Sequence, residues 1–395
     1  MSQFDSVSLA PADPILSLTE AFKADPNPEK VNLSVGVFVD ESGTTPILAT
    51  VKEAEKRLVE TNKTKSYLPI TGSPNYAKLT QEICFAKADT SRIVTAQTPG
   101  GTGALRVAAD FIAGNLESKT IWVSNPTWAN HKGVFASGGL EIKTYAYFDQ
   151  PTLSLDYPAF IEAIKQIPAG DIVLLHACCH NPTGADLNAE QWTEVAAIAK
   201  EAGWTPLLDF AYQGFGAGIN EDAAGVRAMA ANGIQMLVAQ SFSKNIGLYR
   251  ERIGALHIVT NGGEEAQRVA SQVKIVVRTN YSNPPAHGGA IVETILGDAE
   301  LRQRWEKEVD AMRDRINDVR VDFVDAMAAA GISRDFNFLK EQNGMFSFTG
   351  LTRDQAIELR EKHSIYIVDS GRINVAGITK KNIANVVQAL KSILN

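Results

Sequence analysis

The feature that most constrains the fold is an alternation of short apolar runs with longer amphipathic segments, beginning near residue 46. The predicted strands are 93–97, 120–124, 141–147, 172–178, 205–210, 234–240 and 253–259. The predicted helices are 47–61, 74–87, 102–115, 157–166, 189–202, 224–232 and 263–277. Strands separated by such helices need crossover connections, so the pattern predicts a mostly parallel sheet with both faces covered. Ligands of these sheets bind beyond the carboxyl ends of the strands.

The pattern changes after residue 299. A long, charge-rich helix is predicted from Glu300 to about Ala330. Short strands are predicted near Met345–Phe348, Ile365–Val368 and Arg372–Val375, with a closing helix from Lys380. Because 395 residues are too many for one compact core, we interpret this region as a second, smaller α+β domain.

Composition narrows the location and the partners. No apolar run is long enough to span a membrane, and the acidic first residues predict no secretory leader. Three cysteines, two of them adjacent, predict a reducing compartment, so we expect a cytoplasmic protein without membrane contact. The formal net charge of −7 argues against a nucleic-acid partner. Arginines in a pocket of such an acidic chain would indicate an anionic ligand.

One candidate nucleophile follows a largely apolar strand. The segment Ser241–Asn245 reads SFSKN, which places Lys244 on the turn after the predicted strand 234–240. Desolvation at such a place lowers the pKa of a lysine and frees its amine to act as a nucleophile. The two serines and Arg252 could hold a phosphate nearby. This stretch alone does not exclude a surface lysine in a polar turn.

A glycine-rich loop is the second candidate. The segment Thr98–Ala104 reads TPGGTGA, between a predicted strand and an amphipathic helix, so free N–H groups at the helix start could bind an anion. The loop lacks the Walker motif, and Arg106 occupies the place of the last glycine of a dinucleotide-binding loop. A plain glycine-rich turn is an equal interpretation of this segment alone.

Two further motifs follow strands. Asp209 ends a buried strand, where its carboxylate requires a cationic partner, a helix cap or a salt bridge. The segment His176–Gly184 reads HACCHNPTG and invites a zinc interpretation. Alternation on a strand would send neighbouring ligands to opposite faces, so we expect no metal site.

Taken in order, these motifs resemble a known family. NPTG at 181–184, DFAY at 209–212, SFSK at 241–244 and SGR at 370–372 are similar to class I pyridoxal-phosphate-dependent aminotransferases, and resemble the bacterial aspartate and aromatic amino acid enzymes most closely. The similarity runs from Ala10 to Gly377. Each motif is short and weak, whereas their combination in this order is specific.

The resemblance implies fold and domains. It implies a fold type I pyridoxal-phosphate-dependent transferase, with a mostly parallel sheet in the large domain and a small α+β domain. An N-terminal arm at 1–12 would contact the dimer partner. The small domain would combine 13–45 with 312–395, around a large cofactor-binding domain at 46–311.

The resemblance also implies a cofactor site for pyridoxal 5'-phosphate. Lys244, Asp209 and Tyr212 would form the catalytic set, with Lys244 carrying the cofactor and later a proton. The implied cofactor-binding residues are Gly101, Thr102, Trp128, Asn181, Asp209, Tyr212, Ser241, Ser243, Lys244 and Arg252, with Tyr67 supplied by the partner subunit of a homodimer. His131 and His176 would lie behind Asp209, outside the catalytic set.

The implied substrate site contains two arginines. Arg372 would bind the α-carboxylate, and Arg278 would reach the side-chain carboxylate from the neighbouring subunit, so a dicarboxylate would fit. Gly36, Trp128 and Asn181 complete the implied substrate site. The implied activity is a ping-pong exchange of the amino group of L-aspartate or L-glutamate with 2-oxoglutarate or oxaloacetate.

The choice between aspartate and aromatic substrates stays open at this point. Residues that resemble the aspartate-preferring members are Val37, Thr45, Thr102 and Asn283. Residues that depart from the pattern are Ser34, Val39 and Ser66. We favour aspartate, with a broad-range aromatic aminotransferase as the alternative. A non-catalytic phosphate- or nucleotide-binding protein is the alternative of a different class.

Overall fold

The computed structural model describes residues 2–10, 16–86 and 88–394. Its helices are α1 (Leu16–Ala24), α2 (Ala49–Thr61), α3 (Pro74–Phe85), α4 (Gly100–Asn115), α5 (Asn130–Ser137), α6 (Tyr157–Lys165), α7 (Ala189–Ala202), α8 (Ala224–Ala231), α9 (Gly263–Asn280), α10 (Ala286–Gly297), α11 (Ala299–Ala329), α12 (Arg353–His363) and α13 (Ile383–Leu394). Its strands are β1 (Val31–Asn32), β2 (Ile93–Pro99), β3 (Thr120–Asn125), β4 (Glu141–Ala146), β5 (Phe148–Asp149), β6 (Ser154–Leu155), β7 (Ile172–His176), β8 (Thr205–Phe210), β9 (Met236–Ser241), β10 (Ile253–Val259), β11 (Phe346–Phe348), β12 (Ile365–Tyr366) and β13 (Arg372–Asn374).

A seven-stranded sheet organises the described chain, in the order β2-β10-β9-β8-β7-β3-β4. The pairs β3–β4, β3–β7, β7–β8 and β8–β9 are parallel, which confirms the predicted, mostly parallel sheet. Strand β10 is antiparallel to both of its neighbours. It follows β9 through a short loop instead of a crossover helix. The loop therefore begins and ends at the same edge of the sheet.

Both faces of this sheet are buried. Along β7, Ile172 and Leu174 belong to one hydrophobic cluster, whereas Val173 and Leu175 belong to another. Successive side chains of a strand point to opposite faces, so the two clusters lie on opposite sides of the sheet. This explains why the central strands are continuous apolar runs in the sequence.

A third hydrophobic cluster combines Val31 and Leu33 with apolar side chains between Val319 and Leu390. Helix α11 contributes to two clusters, since Ile316 packs in the first and Val319 in the third. The N-terminal segment therefore packs with the C-terminal quarter, the combination predicted for the small domain. The predicted boundary between residues 12 and 13 lies outside the described residues.

Three helices are absent from the sequence prediction. Gly133 interrupts the apolar pattern of α5, and α12 is so polar that only Ala356 and Leu359 are buried. A capping box between Thr352 and Gln355 marks the start of α12 and could have revealed it. Helix α10 is apolar and carries three glycines.

Strand β7 ends at His176, two residues earlier than predicted, as the chain turns at Cys179 with φ of +51°.

None of the described helices combines the length and apolarity needed to cross a membrane.

Candidate active site

The strand register brings the predicted motifs to one edge of the sheet. Strand β10 pairs Gly254 with Thr98 of β2 on one side and with Ser241 of β9 on the other. The glycine loop that follows β2 and the lysine loop that follows β9 therefore meet. On the next strand, Asp209 lies opposite Ala239, close to the same edge.

The first part of the site is suited to a phosphate. Helix α4 begins at Gly100, so its first N–H groups lack helical partners and point toward this edge. Ser241 Oγ lies 3.2 Å from Ser243 Oγ, and Arg252 donates to Ser243 Oγ at 3.4 Å. Gly100 has φ of +73°, and a Cβ there would lie 2.6 Å from the Arg252 guanidinium. Only glycine allows the helix start and Arg252 to approach this closely.

Lys244 lies beside this cradle. Its amine faces the cavity, 4.4 Å from the centre of the Tyr212 ring. The pKa of Lys244 is lowered to about 8, mainly by desolvation; the Asp209 charge opposes this shift and the Arg252 charge adds to it. The neutral amine fraction is thus far larger near neutral pH than for an ordinary lysine, and it grows as pH rises through 8. The sequence prediction of a desolvated amine agrees with this geometry.

Asp209 remains an anion although it is buried. Burial alone would raise its pKa, but the hydrogen bond from His131 and nearby positive charges hold the pKa below its ordinary value. His131 Nε2 donates to Asp209 Oδ2 at 3.0 Å, and Thr127 Oγ1 lies 2.8 Å from His131 Nδ1. His176 Nε2 extends the chain, 3.2 Å from Thr127 Oγ1. This relay fixes the carboxylate and leaves its other oxygen for a cationic group.

Arg372 provides a buried positive charge on the opposite side. It donates to Ser34 O at 2.7 Å and to Asn181 Oδ1 at 3.3 Å, and it lies 4.1 Å from the centre of the Phe346 ring. Its Nε has no hydrogen-bond partner, and no carboxylate of the described residues pairs with it. Burial lowers the pKa of Arg372 to about 10, so the guanidinium stays charged at neutral pH. An unpaired buried cation of this kind is suited to an anionic ligand.

These groups surround one cavity of about 240 Å³. Twelve of the sequence-predicted site residues line it: Gly36, Gly101, Thr102, Trp128, Asn181, Asp209, Tyr212, Ser241, Ser243, Lys244, Arg252 and Arg372. Leu105, Ala211, Tyr249 and Phe346 also line it and were missed. Ala211 lies within a quoted motif and Leu105 directly follows the glycine-rich segment, but Phe346 carries no local signal because its position depends on β11 pairing with β13.

Tyr67 and Arg278 lie away from this cavity in their own chain. Tyr67 is 91% exposed, and Arg278 is exposed and donates to Ser282 Oγ at 2.5 Å. Their predicted roles depend on a second subunit, so both stay predictions.

The geometry corrects the argument made against a metal. The thiols of Cys178 and Cys179 lie within 4.8 Å of each other and of an Asp222 oxygen, because both cysteines follow the end of β7 and do not alternate as strand residues. The Asp222 carboxylate, however, accepts backbone N–H groups from Gly214, Gly216 and Ala217. Burial raises the pKa of both thiols, which disfavours the thiolate form that a metal needs.

The donor set can be matched to a ligand class. The cradle suits a phosphate, the Asp209 oxygen suits a protonated ring nitrogen, and the Lys244 amine suits an electrophilic carbon. These requirements fit pyridoxal 5'-phosphate, and the lone Nε of Arg372 leaves room for a carboxylate beside it.

Comparisons with known proteins agree with the site. The family model described as aminotransferase class I and II matches residues 28–390. The chain is 51% identical to aspartate aminotransferase of Escherichia coli (strain K12), over 99% of this chain and 100% of that protein. It is 45% identical to aromatic-amino-acid aminotransferase of Pseudomonas aeruginosa, over 100% and 99%. A crystal structure of aromatic-amino-acid aminotransferase from Burkholderia pseudomallei, covalently bound to pyridoxal phosphate, matches with a TM-score of 0.97, 47% identity and full coverage of both chains.

Proposed function

The chain belongs to the class I and II aminotransferases, and on that premise we propose that it uses pyridoxal 5'-phosphate to move the amino group of L-aspartate or L-glutamate to 2-oxoglutarate or oxaloacetate. One observation carries this proposal: the unpaired guanidinium of Arg372 and the amine of Lys244 face the same cavity. A substrate held by its α-carboxylate at Arg372 can present its α-carbon to that amine.

The cofactor-binding part of the proposal rests on the cradle. The first N–H groups of α4, the hydroxyls of Thr102, Ser241 and Ser243, and Arg252 would hold the phosphate. Asp209 would keep a proton on the ring nitrogen. When bound, the cofactor supplies an electron-withdrawing ring that stabilises negative charge at the substrate α-carbon.

The chain's own residues would then act on protons and charge. Lys244, with its lowered pKa, can remove the α-proton as a neutral amine and return it as an ammonium. Asn181 accepts from Arg372 through Oδ1, which leaves its amide N–H groups to donate to the phenolic oxygen of the cofactor. Tyr212 can donate to the same oxygen, because burial raises the pKa of its hydroxyl and keeps it protonated.

Arg372 is suited to the α-carboxylate. Its planar fork matches both oxygens of a carboxylate, and a bound carboxylate would satisfy the lone Nε. The Phe346 ring covers one face of the guanidinium and restricts the carboxylate to its edge. Because every amino acid substrate carries an α-carboxylate, substrates with any side chain would use this contact.

The preference for aspartate over aromatic substrates is supported by fewer observations. Residues Ser34, Val39 and Ser66, which depart from the aspartate pattern, do not line the cavity of their own chain. Ser34 is buried, and its hydroxyl donates to Asn32 Oδ1 at 2.8 Å. The departures therefore do not widen the cavity within one subunit, which removes the argument that they made against aspartate. The aromatic-amino-acid enzymes among the similar proteins keep the broad-range activity as the second candidate.

A homodimer with shared sites completes the proposal. Exposed apolar side chains of the N-terminal arm, Phe4, Val7 and Leu9, have nothing to cover them in one chain. Tyr67 and Arg278 are exposed as well, so a second copy could receive them at its cavity. Arg278 of the partner subunit would then bind the second carboxylate of a dicarboxylate substrate.

A spectral titration tests the proposed activity. L-Aspartate added without an oxo acid is expected to bleach the visible absorbance of the bound cofactor at concentrations at least about tenfold below those of L-phenylalanine, because only aspartate offers a second carboxylate to an arginine. If both amino acids bleach the absorbance at equal concentrations, the aspartate assignment would be replaced by a broad-range aromatic aminotransferase. A purified protein that lacks any cofactor absorbance would favour a non-catalytic phosphate- or nucleotide-binding protein.

Mixed dimers test whether Arg278 acts across the interface. Lys244→Ala and Arg278→Leu chains are expected to be weak alone and to regain about a quarter of wild-type activity when mixed, since about half of the dimers are then hybrids with one intact site. Activity is measured at low aspartate concentration. The matched control mixes Lys244→Ala with Arg372→Leu, which line the same cavity and should not complement. Equal failure of both mixtures would contradict the shared site.

A further inference from the structure

Arg320 is a second buried cation that the proposed mechanism does not use. It lies on α11 with 2% of its surface exposed. Its Nη1 donates to Leu339 O at 3.1 Å and to Ser347 Oγ, and its Nη2 donates to Gly344 O at 2.6 Å and to Phe346 O at 3.0 Å. No ion pair joins Arg320 to a carboxylate within the described ranges. Burial lowers its pKa to about 10, so it stays charged at neutral pH.

A charge in this position is not explained by packing. A buried cation without a carboxylate is destabilising relative to an apolar side chain of similar size, unless hydrogen bonds compensate for the lost water. Here oxygens of one short segment, residues 339–347, compensate both Nη groups, whereas Nε has no hydrogen-bond partner. The arginine fork therefore fixes the path of that segment, which a methionine or leucine of similar volume would not do.

The segment held by Arg320 reaches the substrate site in two ways. Strand β11 pairs with β13, with Phe348 opposite Arg372 and Phe346 opposite Asn374. The Phe346 ring also covers the Arg372 guanidinium. Moving β11 would thus move both the backbone and the side chain of Arg372.

The surroundings of Phe346 leave little freedom to absorb such a movement. A Cβ at Gly36 would lie 2.6 Å from the edge of the Phe346 ring, and the ring meets Tyr212 edge-on at 6.1 Å. On the other side, Asn343 N donates to Gly184 O at 2.7 Å, which ties the segment to the turn that carries Asn181. The segment is therefore packed between two parts of the cavity wall.

We propose that Arg320 is a positioning residue for substrate binding: it holds β11 so that Phe346 and Arg372 present the guanidinium edge to the α-carboxylate. This inference rests on the proposed function. It assigns to a residue outside the cavity an effect on the affinity of the cavity for the substrate carboxylate. Arg320 touches neither substrate nor cofactor. Its loss should therefore weaken carboxylate binding while leaving the chemistry at Lys244 largely intact.

The test uses the holoenzyme and three variants. In Arg320→Met, the KM for L-aspartate and the Kd for succinate, which has two carboxylates and no amino group, are expected to rise about tenfold, with kcat within about threefold. Arg320→Lys keeps the charge without the fork and should give an intermediate Kd. Arg302→Met is the matched control, because Arg302 lies on the same helix and pairs with Glu82 and Glu306 instead of with the segment 339–347. It should change Kd by less than about twofold.

Three results would overturn the inference. An unchanged succinate Kd in Arg320→Met would show that β11 keeps Arg372 in place without it. An equal rise in Arg302→Met would indicate a general loss of stability, and a fall in kcat without a change in KM would indicate a role in chemistry. If Arg320→Met does not fold, a wild-type succinate Kd in Arg320→Lys would show that the guanidinium fork is not needed to position β11. Failure of the proposed function would instead appear in the wild-type protein, as absent cofactor absorbance or absent bleaching by aspartate.

Discussion

Replacing Lys244 with alanine is expected to lower kcat by at least about 10⁴-fold, the upper range for removing a general acid–base group, because this residue also supplies the nucleophile. Within the described chain, Lys244 is the lysine that lines the cavity. Neither Asp209 nor Tyr212 can replace it, since the lowered pKa of Asp209 makes its carboxylate a weak base and Tyr212 is held as a neutral phenol. Steady-state kinetics with L-aspartate and 2-oxoglutarate measure the loss.

The same variant should keep its fold and its cofactor. The cradle around Gly101, Ser243 and Arg252 does not involve the lysine side chain, so cofactor is expected to remain bound without a covalent link. Circular dichroism and sedimentation should match the wild type. Lys244→Arg is the control for charge, because arginine stays protonated and cannot act as a base. Near-normal turnover in either variant would contradict the central role given to this amine.

The fold was predictable where local pattern and tertiary structure agree. The predicted helix 189–202 and the predicted strands 205–210 and 253–259 coincide with α7, β8 and β10, because each is bounded by residues typical of element ends and buries a continuous apolar face. Helix α5 was missed because Gly133 interrupts its apolar pattern and its burial is tertiary: Val134 and Phe135 pack in the second hydrophobic cluster, and His131 against Asp209. The antiparallel direction of β10 likewise follows from the loop that carries Lys244.

The site was predictable where its residues follow strands. Asp209 and Lys244 stand at strand ends, and the resemblance to a family supplied the rest of the cavity, including Gly36 and Trp128. Phe346 and Arg320 could not be found in this way, because each acts through long-range contacts: Phe346 through pairing with β13 and Arg320 through carbonyl oxygens of a distant segment. No local motif encodes such contacts. The geometry of one chain cannot place residues whose role depends on a second subunit, such as Arg278.

Replacing Arg372 with leucine is expected to lower kcat/KM for every amino acid substrate by roughly 30- to 5,000-fold, which corresponds to about 2 to 5 kcal/mol for losing one partner of a buried charge pair. The physical reason is that the substrate carboxylate would enter a buried site without its cation. Arg372→Lys keeps the charge but loses the planar fork, so its loss should be smaller. Kinetics with L-aspartate and L-phenylalanine measure both variants.

The ratio between the two substrates separates the roles of the arginines. Because both amino acids share the α-carboxylate, Arg372→Leu should lower their kcat/KM by similar factors and leave the ratio nearly unchanged. Arg278→Leu should lower the value for aspartate alone, since phenylalanine has no second carboxylate. If Arg372→Leu instead shifts the ratio strongly, this guanidinium binds the side chain of the substrate. The orientation proposed for the substrate, with its α-carbon toward Lys244, would then have to be reversed.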